Sequence, residues 1–231
     1  MIILFNHKWT VRLKSIHEKN YIHHDLHSGN IFSYDHYSSR LGDLGLCQQL
    51  NEKDNPNEIF GVIPYLAPEV LMKKPYTKES DIYSFGIIMW EFTTGKKPFH
   101  DRSHDHYLMV DVLRGARPEI TDDTPEFYAK LMKKCWDHNP ENRPTAKEIF
   151  DCLYEHKYYN ATEENREFIK LAEAKRQEII NSDEFLSDTK NYKHHPKSFY
   201  TSRLLDDSIQ QTTLINILSI EIWSDLCHSL H

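Results

Sequence analysis

The stretch that leaves this chain least freedom is residues 78–94, KESDIYSFGIIMWEFTT. Ile82, Tyr83, Phe85, Ile87, Ile88, Met89, Trp90 and Phe92 fall on nearly every face of a helix written through it. A surface helix carries one apolar stripe; a helix that is apolar all round is stable only when protein encloses it. Thr77 is the expected N-cap, because its hydroxyl satisfies free amides at the first turn. Gly95 is the expected stop, because glycine takes the left-handed turn that ends a helix. The fold must be built around this helix, and the rest of the chain has to supply its walls. A domain of 231 residues buries roughly 70–75% of the surface its unfolded chain exposes, so a sizeable core is within reach without disulfides.

The walls are predicted to be mainly α. Residues 8–20 place Trp9, Val11, Leu13 and Ile16 in helical rhythm, ending near Asn20. Further helices are predicted from about His104 to Gly115, from a Thr124 cap with Pro125 at the first turn to about Trp136, and from a Thr145–Glu148 capping box to about Tyr154. Ile31–Tyr34 and Arg40–Gly42 are short extended pieces, too short to form a sheet of their own, and residues 46–58 are a polar loop. Residues 1–155 thus form one domain. Residues 156–231 are a tail, with an amphipathic helix over about 163–180, a polar flexible stretch over 182–208 and a short docking helix within 209–230.

Thirty-five acids against 28 Lys and Arg leave a net charge of −7, the wrong sign for a general nucleic-acid binder. Cys47, Cys135, Cys152 and Cys227 stand far apart without metal-ligand spacing, as expected of reduced thiols in the cytoplasm. Met1–Phe5 is too short for a signal-peptide core, and no apolar run approaches the ~18 residues of a membrane span.

Chemistry concentrates in His23-His24-Asp25-Leu26-His27-Ser28-Gly29-Asn30, followed by Asp43-Leu44-Gly45, Ala67-Pro68-Glu69, Ser80-Asp81 and Asn142-Arg143-Pro144. In this order the motifs resemble the large lobe of a eukaryotic protein kinase over about residues 5–155: catalytic loop, metal-binding triplet, activation segment, buried helix and late arginine. Cys135-Trp136 and Asn139-Pro140-x-x-Arg143-Pro144 resemble the tyrosine-kinase-like branch.

The resemblance implies ATP and Mg²⁺ as cosubstrate and cofactor, and a protein hydroxyl as acceptor. Asp25 matches the base that accepts the acceptor's proton, and Asn30 and Asp43 match the oxygen ligands that hold Mg²⁺ on the phosphates. Phe32 matches the apolar residue on which adenine rests. Four matches are structural: His23 packs in the core, Glu69 and Arg143 pair to pin the activation segment, and Asp81 anchors the catalytic-loop backbone. His23, Asp25 and His27 lack a further ligand at zinc spacing, and His100, His104 and His106 read as a solvated loop.

The sequence also departs from the pattern. His24 replaces the arginine before the catalytic aspartate, and residues 43–64 contain no Ser, Thr or Tyr, so no charge-pairing phosphorylation switch is expected there. His27 stands where Ser/Thr kinases carry lysine, and Val62 stands where a threonine is expected to bond the catalytic aspartate. Substrate preference is therefore open. The small β-rich lobe needs at least ~40 residues at ordinary element lengths, yet only 22 precede His23 and no glycine precedes Gly29. Its Gly-rich loop, strand lysine and helix glutamate are missing. The expectation is a kinase-like phosphotransferase that is truncated and inactive as an isolated chain, acting on a protein substrate. The alternative is a pseudokinase-like protein-interaction module. Loss of the small lobe should also expose apolar surface around Leu44, Phe32 and the first helix.

Overall fold

A computed structural model describes residues 2–33, 39–49, 58–122, 124–158, 174 and 195–205. In chain order these form α1 (Ile2–Glu18), β1 (Tyr21–Ile22), β2 (Ile31–Ser33), β3 (Ser39–Leu41), β4 (Gln48–Gln49), β5 (Phe60–Gly61), α2 (Pro68–Leu71), α3 (Lys78–Thr94), α4 (His106–Leu113), α5 (Glu126–Cys135), α6 (Ala146–Tyr158) and β6 (Arg203–Leu204). Helices dominate and the strands are short.

Helix α3 lies at the centre, with the bounds the sequence predicted. Thr77 Oγ1 accepts from the Ser80 amide at 3.2 Å, Ser80 Oγ accepts from the Thr77 amide at 3.0 Å, and Gly95 closes the end at φ 69°. Ile82, Tyr83, Phe85, Ile87, Ile88 and Met89 are all fully buried. Helix α5 approaches α3 so closely at Gly86 that a Cβ there would stand 2.9 Å from Cys135 Cβ, which only glycine avoids. Helix α1 packs on α6 and α3, with the Trp9 and Phe85 ring centroids 4.4 Å apart. Trp9 and Leu13 are sealed from solvent, so the expected exposure of the first helix does not hold for them. Among the described residues no helix is long and apolar enough to cross a membrane.

Other boundaries move for local reasons. Helix α1 begins at Ile2, six residues before the predicted start. Helix α4 starts at His106, two residues after the predicted start, because Asp105 caps it, accepting from the Tyr107 and Leu108 amides at 3.0 and 3.4 Å. Pro125, which has no side-chain acceptor, occupies the N-cap position of α5, and the Thr124 hydroxyl lies 3.2 Å from Thr121 Oγ1. The Thr145–Glu148 capping box forms with reciprocal bonds, and α6 runs on to Tyr158.

Three antiparallel two-stranded ladders surround the helices. The extended pieces near residues 31 and 41 do pair, correcting the expectation that they form no sheet: Ile31 faces Leu41 and Phe32 faces Arg40. The region predicted to be loop contains β4, which pairs with β1 through Tyr21↔Gln49 and Ile22↔Gln48. The third ladder joins β5 to β6, with Phe60↔Leu204 and Gly61↔Arg203. It brings residues 195–205, part of the stretch predicted to be flexible, against the domain. Leu205 is only 3% exposed and its amide donates to Ile59 O at 2.8 Å. The same segment corrects the solvated reading of His104, which is 3% exposed because Lys197 and Phe199 bond its backbone and ring. The predicted 163–180 helix and the 209–230 helix lie outside the described residues, apart from Ala174.

Candidate active site

The loop between β1 and β2 is held from below by α3. The His23 and His24 amides donate to Asp81 Oδ2 and Oδ1 at 2.8 and 3.2 Å, and His17 Nε2 bonds Asp81 Oδ2 at 2.9 Å. One buried carboxylate thus ties α1, the loop and α3 together. His23 is fully buried, with Nε2 3.2 Å from Gly42 O and Nδ1 without a partner. His24 is bent into the left-handed region (φ 69°) and stacks on Tyr76 with centroids 4.5 Å apart. The Tyr76 hydroxyl in turn donates to Phe60 O at 2.6 Å, so this ring pair is fastened to β5.

Asp25 emerges from that scaffold 4% exposed. Asn30 Nδ2 donates to Asp25 O at 2.8 Å and to Asp25 Oδ2 at 3.2 Å. The amide nitrogen is therefore consumed inside the loop and the carboxamide oxygen is the end left to meet a cation. Asp43 is joined to this point through its neighbour, since the Gly42 amide donates to Asn30 O at 2.8 Å. Asp43 is itself left-handed (φ 51°) and caps a short 3₁₀ turn, accepting from the Gly45 amide at 3.4 Å. The structure thus brings Asp25, Asn30 and Asp43 into one region at the open ends of β2 and β3. The donors are a carboxamide oxygen and carboxylate oxygens, hard ligands of the kind Mg²⁺ takes together with phosphate and water. The residues fit the ion. Phe32, one strand residue beyond Ile31, is 48% exposed beside them, and Leu44 is 54% exposed.

Asp25 has further partners that its sequence position does not reveal. His27 Nδ1 accepts from the Gly29 amide at 3.1 Å, which assigns the ring proton to Nε2. That nitrogen lies 3.1 Å from Ser202 Oγ and 3.5 Å from Asp25 Oδ2. The Ser202 hydroxyl donates to Asp25 Oδ1. Burial pushes the Asp25 carboxyl up, but hydrogen bonds from His27, Ser202 and Asn30 outweigh it and hold the group below the ordinary carboxylate range.

The chain that follows β5 is fastened by buried side-chain bonds. Gly61 (φ 143°) passes so close to the site that a Cβ there would meet Leu66 at 2.9 Å and Asp25 Oδ1 at 3.8 Å. The Tyr65 hydroxyl is buried and donates to Glu91 Oε2 at 2.5 Å; Lys97 bonds the other oxygen of Glu91 at 2.6 Å and Ser28 Oγ at 2.7 Å. Burial first, and then the Glu91 charge, raise the Tyr65 phenol well above its usual value. Glu69 accepts two parallel bonds from Arg143, Nη1 at 2.6 Å and Nη2 at 2.8 Å, and neither residue is exposed. Glu69, Asp81 and Arg143 therefore lie beneath the site and not in it.

A protein-family profile described as protein tyrosine and serine/threonine kinase matches residues 5–153. The chain belongs to the protein kinase family. Its kinase region is 35% identical over 144 residues to the dual specificity protein kinase shkC of Dictyostelium discoideum, covering 60% of this chain and 28% of that protein. Serine/threonine-protein kinase STY17 of Arabidopsis thaliana is 31% identical over 138 residues, 60% of this chain and 24% of the relative. For shkD of Dictyostelium discoideum the identity is 35% over 136 residues, 58% and 18% of the two chains. This kinase-family chain thus spans 18–28% of the length of these curated relatives. Within it, His27 and Ser202 are the site residues that sequence reasoning missed. A histidine two positions after Asp25 was a signal for the first; nothing in the local sequence around Ser202 points across 177 residues to Asp25.

Proposed function

We propose that this chain carries the acceptor-and-metal half of a protein phosphotransferase site, the large lobe of a kinase in the tyrosine-kinase-like branch. The observation that supports it most is the buried clip from Asn30 to Asp25 with Asp43 drawn in through the Gly42 amide. In this reading Asp25 takes the acceptor hydroxyl's proton as phosphate transfers from ATP, held in place by the Asn30 and His27 side chains. Asn30 and Asp43 hold Mg²⁺, which when bound offsets phosphate charge and fixes the phosphates' position. Phe32 offers an apolar face to the adenine. Branch membership draws on Cys135-Trp136 and Asn139-Pro140-x-x-Arg143-Pro144. The relatives' names, serine/threonine or dual specificity kinase, support a protein hydroxyl as acceptor and not one acceptor type.

These 231 residues hold no Gly-rich loop before Asp25. With no lid or strand lysine to preorganise the phosphates, the chain by itself should bind nucleotide weakly and turn over below detection. The expected setting is the cytoplasm, in keeping with the free thiols of Cys47, Cys135 and Cys152. A pseudokinase-like interaction module is the second reading, favoured by the exposed Phe32 and Leu44, an apolar pair suited to a protein partner. Calorimetric titration with ATP separates the two. Binding that requires Mg²⁺ and is lost in Asp43→Asn supports the phosphotransferase site; no binding, or binding indifferent to both, favours the module.

A further inference from the structure

Away from Asp25, the end of α1 and the first turns of α3 and α6 wall a cleft of about 360 Å³. That lies at the lower end of the roughly 300–1,000 Å³ of small-molecule clefts. Its lining holds Lys14, His17 and Glu18 from α1, Lys78 and Glu79 from α3, and Ala146 and Lys147 from α6. The first amides of any helix have no partner within it. Thr77 and Thr145 each accept from the third such amide, Ser80 and Glu148, at 3.2 Å. The amides of Lys78, Glu79, Ala146 and Lys147 are left over, and all four residues line the cleft. His17 is an independent sign of a ligand. It is only 7% exposed, and its Nε2 donates to Asp81 Oδ2 at 2.9 Å, since a carboxylate can only accept. In the neutral ring Nδ1 is then an acceptor without a partner among the described residues, and the ring lines the cleft.

We propose that this cleft binds a small, free phosphomonoester. Such a group carries a charge of about −1.5 to −2 at neutral pH, and in part of the population one oxygen still bears a proton. The N-termini of α3 and α6, 17 and 13 residues long, suit it because free amides and helix dipoles both favour a negative group. Lys14, Lys78 and Lys147 add three ammonium groups against the carboxylates of Glu18 and Glu79, a positive excess on a chain of net −7. Arg143, also in the lining, is neutralised by Glu69. The lysines now meet Glu18 at 3.6 Å, Asn20 Oδ1 at 2.8 Å and Asp151 at 2.6 Å. Exposed pairs of this kind are worth little, so phosphate oxygens can displace them. His17 Nδ1 accepts from the protonated phosphate oxygen, while Ile82, Pro144 and the lysine stems meet the ester carbons. Asp81, bonded to His17, also accepts from the His23 and His24 amides, so the occupant reaches the loop that carries Asp25. The site stands whether or not the phosphotransferase reading of Asp25 holds.

The test is an NMR titration of the full chain with glycerol 3-phosphate at neutral pH. The amide signals of Glu79, Ala146 and Lys147 should shift saturably, those of His23 and His24 should follow through Asp81, and Val110 in α4 should not move. Lys78→Gln combined with Lys147→Gln removes two part-exposed charges and should weaken binding about tenfold, the effect of losing one charge-assisted bond. Sulfate, alike in shape but with no proton to give His17, should bind several-fold more weakly. Vesicles of phosphatidic acid carry the same group on a lipid and should not capture the chain, because its net charge of −7 opposes an anionic surface. Shifts that never saturate, that ignore the double variant or that sulfate reproduces at equal concentration overturn the proposal. Inorganic phosphate binding where glycerol 3-phosphate does not, or capture by the vesicles, overturns the free ester as the occupant.

Discussion

Arg143 illustrates how much a single side chain is asked to hold. Besides the two bonds to Glu69 it donates to Asp137 O at 2.8 Å and Glu79 O at 3.0 Å, so its removal leaves a buried carboxylate and several carbonyls unpaired. Arg143→Ala should destabilise the chain by about 3–5 kcal/mol, measured by urea unfolding. Arg143→Lys should recover only part of that, because an ammonium cannot make the paired geometry. Tyr65→Phe should cost about 1.5–3 kcal/mol through the lost bond to Glu91. With the phenol inside the protein and fastened, Tyr65 should also resist phosphorylation in the folded chain. Phosphate found on Tyr65 by mass spectrometry, in chain that stays folded with an added tyrosine kinase, would contradict this picture. His104 gives a pH dependence. Burial first, then the Arg203 and Arg102 charges, lower its pKa below 6.5, despite the carbonyls of Phe199 and Phe99. A depressed folded pKa means its stability is full above pH 6.5 and is lost as pH falls toward the folded value. Melting temperature should decline over that window in wild type and less in His104→Gln. At this scale Asp25, Asn30, Asp43, Glu69, Asp81 and Arg143 stood out in the sequence because each belongs to a local motif. His104 and Ser202 did not, because their environment is made by a segment nearly a hundred residues or more away in the chain.

Among the elements, those whose signals are local came out of the sequence well. Helix α3 announced itself by apolar residues on every face and by Thr77 and Gly95, and its observed ends coincide with them. The Thr145–Glu148 box marked the start of α6 for the same reason. Two-residue strands such as β1, β4, β5 and β6 carry no periodicity; only their partners define them, so they were not legible. Thr124 is not the cap of α5, where Pro125 holds that position. Where helices cross, the sequence shows a glycine but not its reason. Gly86→Ala should force the α3–α5 contact apart at Cys135 and Trp136 and cost about 1–3 kcal/mol, seen as a lowered unfolding midpoint with unchanged slope.

At the scale of the whole molecule the architecture is a helical body with one central helix, ringed by short ladders, and a chemical cluster at the ends of β2 and β3. Its polar groups are preorganised from beneath by Asp81 and Asn30, while Phe32 and Leu44 face outward. The account stands on the convergence of Asn30 and Asp43 on one divalent cation carried by a nucleotide. Manganese, a paramagnetic stand-in for magnesium, tests that most directly. With a non-hydrolysable ATP analogue present, trace Mn²⁺ should broaden the NMR signals of the Asn30 side-chain amide and of the Gly42 and Gly45 backbone amides, and leave Arg143 sharp. Broadening that ignores the nucleotide, or that falls elsewhere in the chain and spares Asn30, would contradict it.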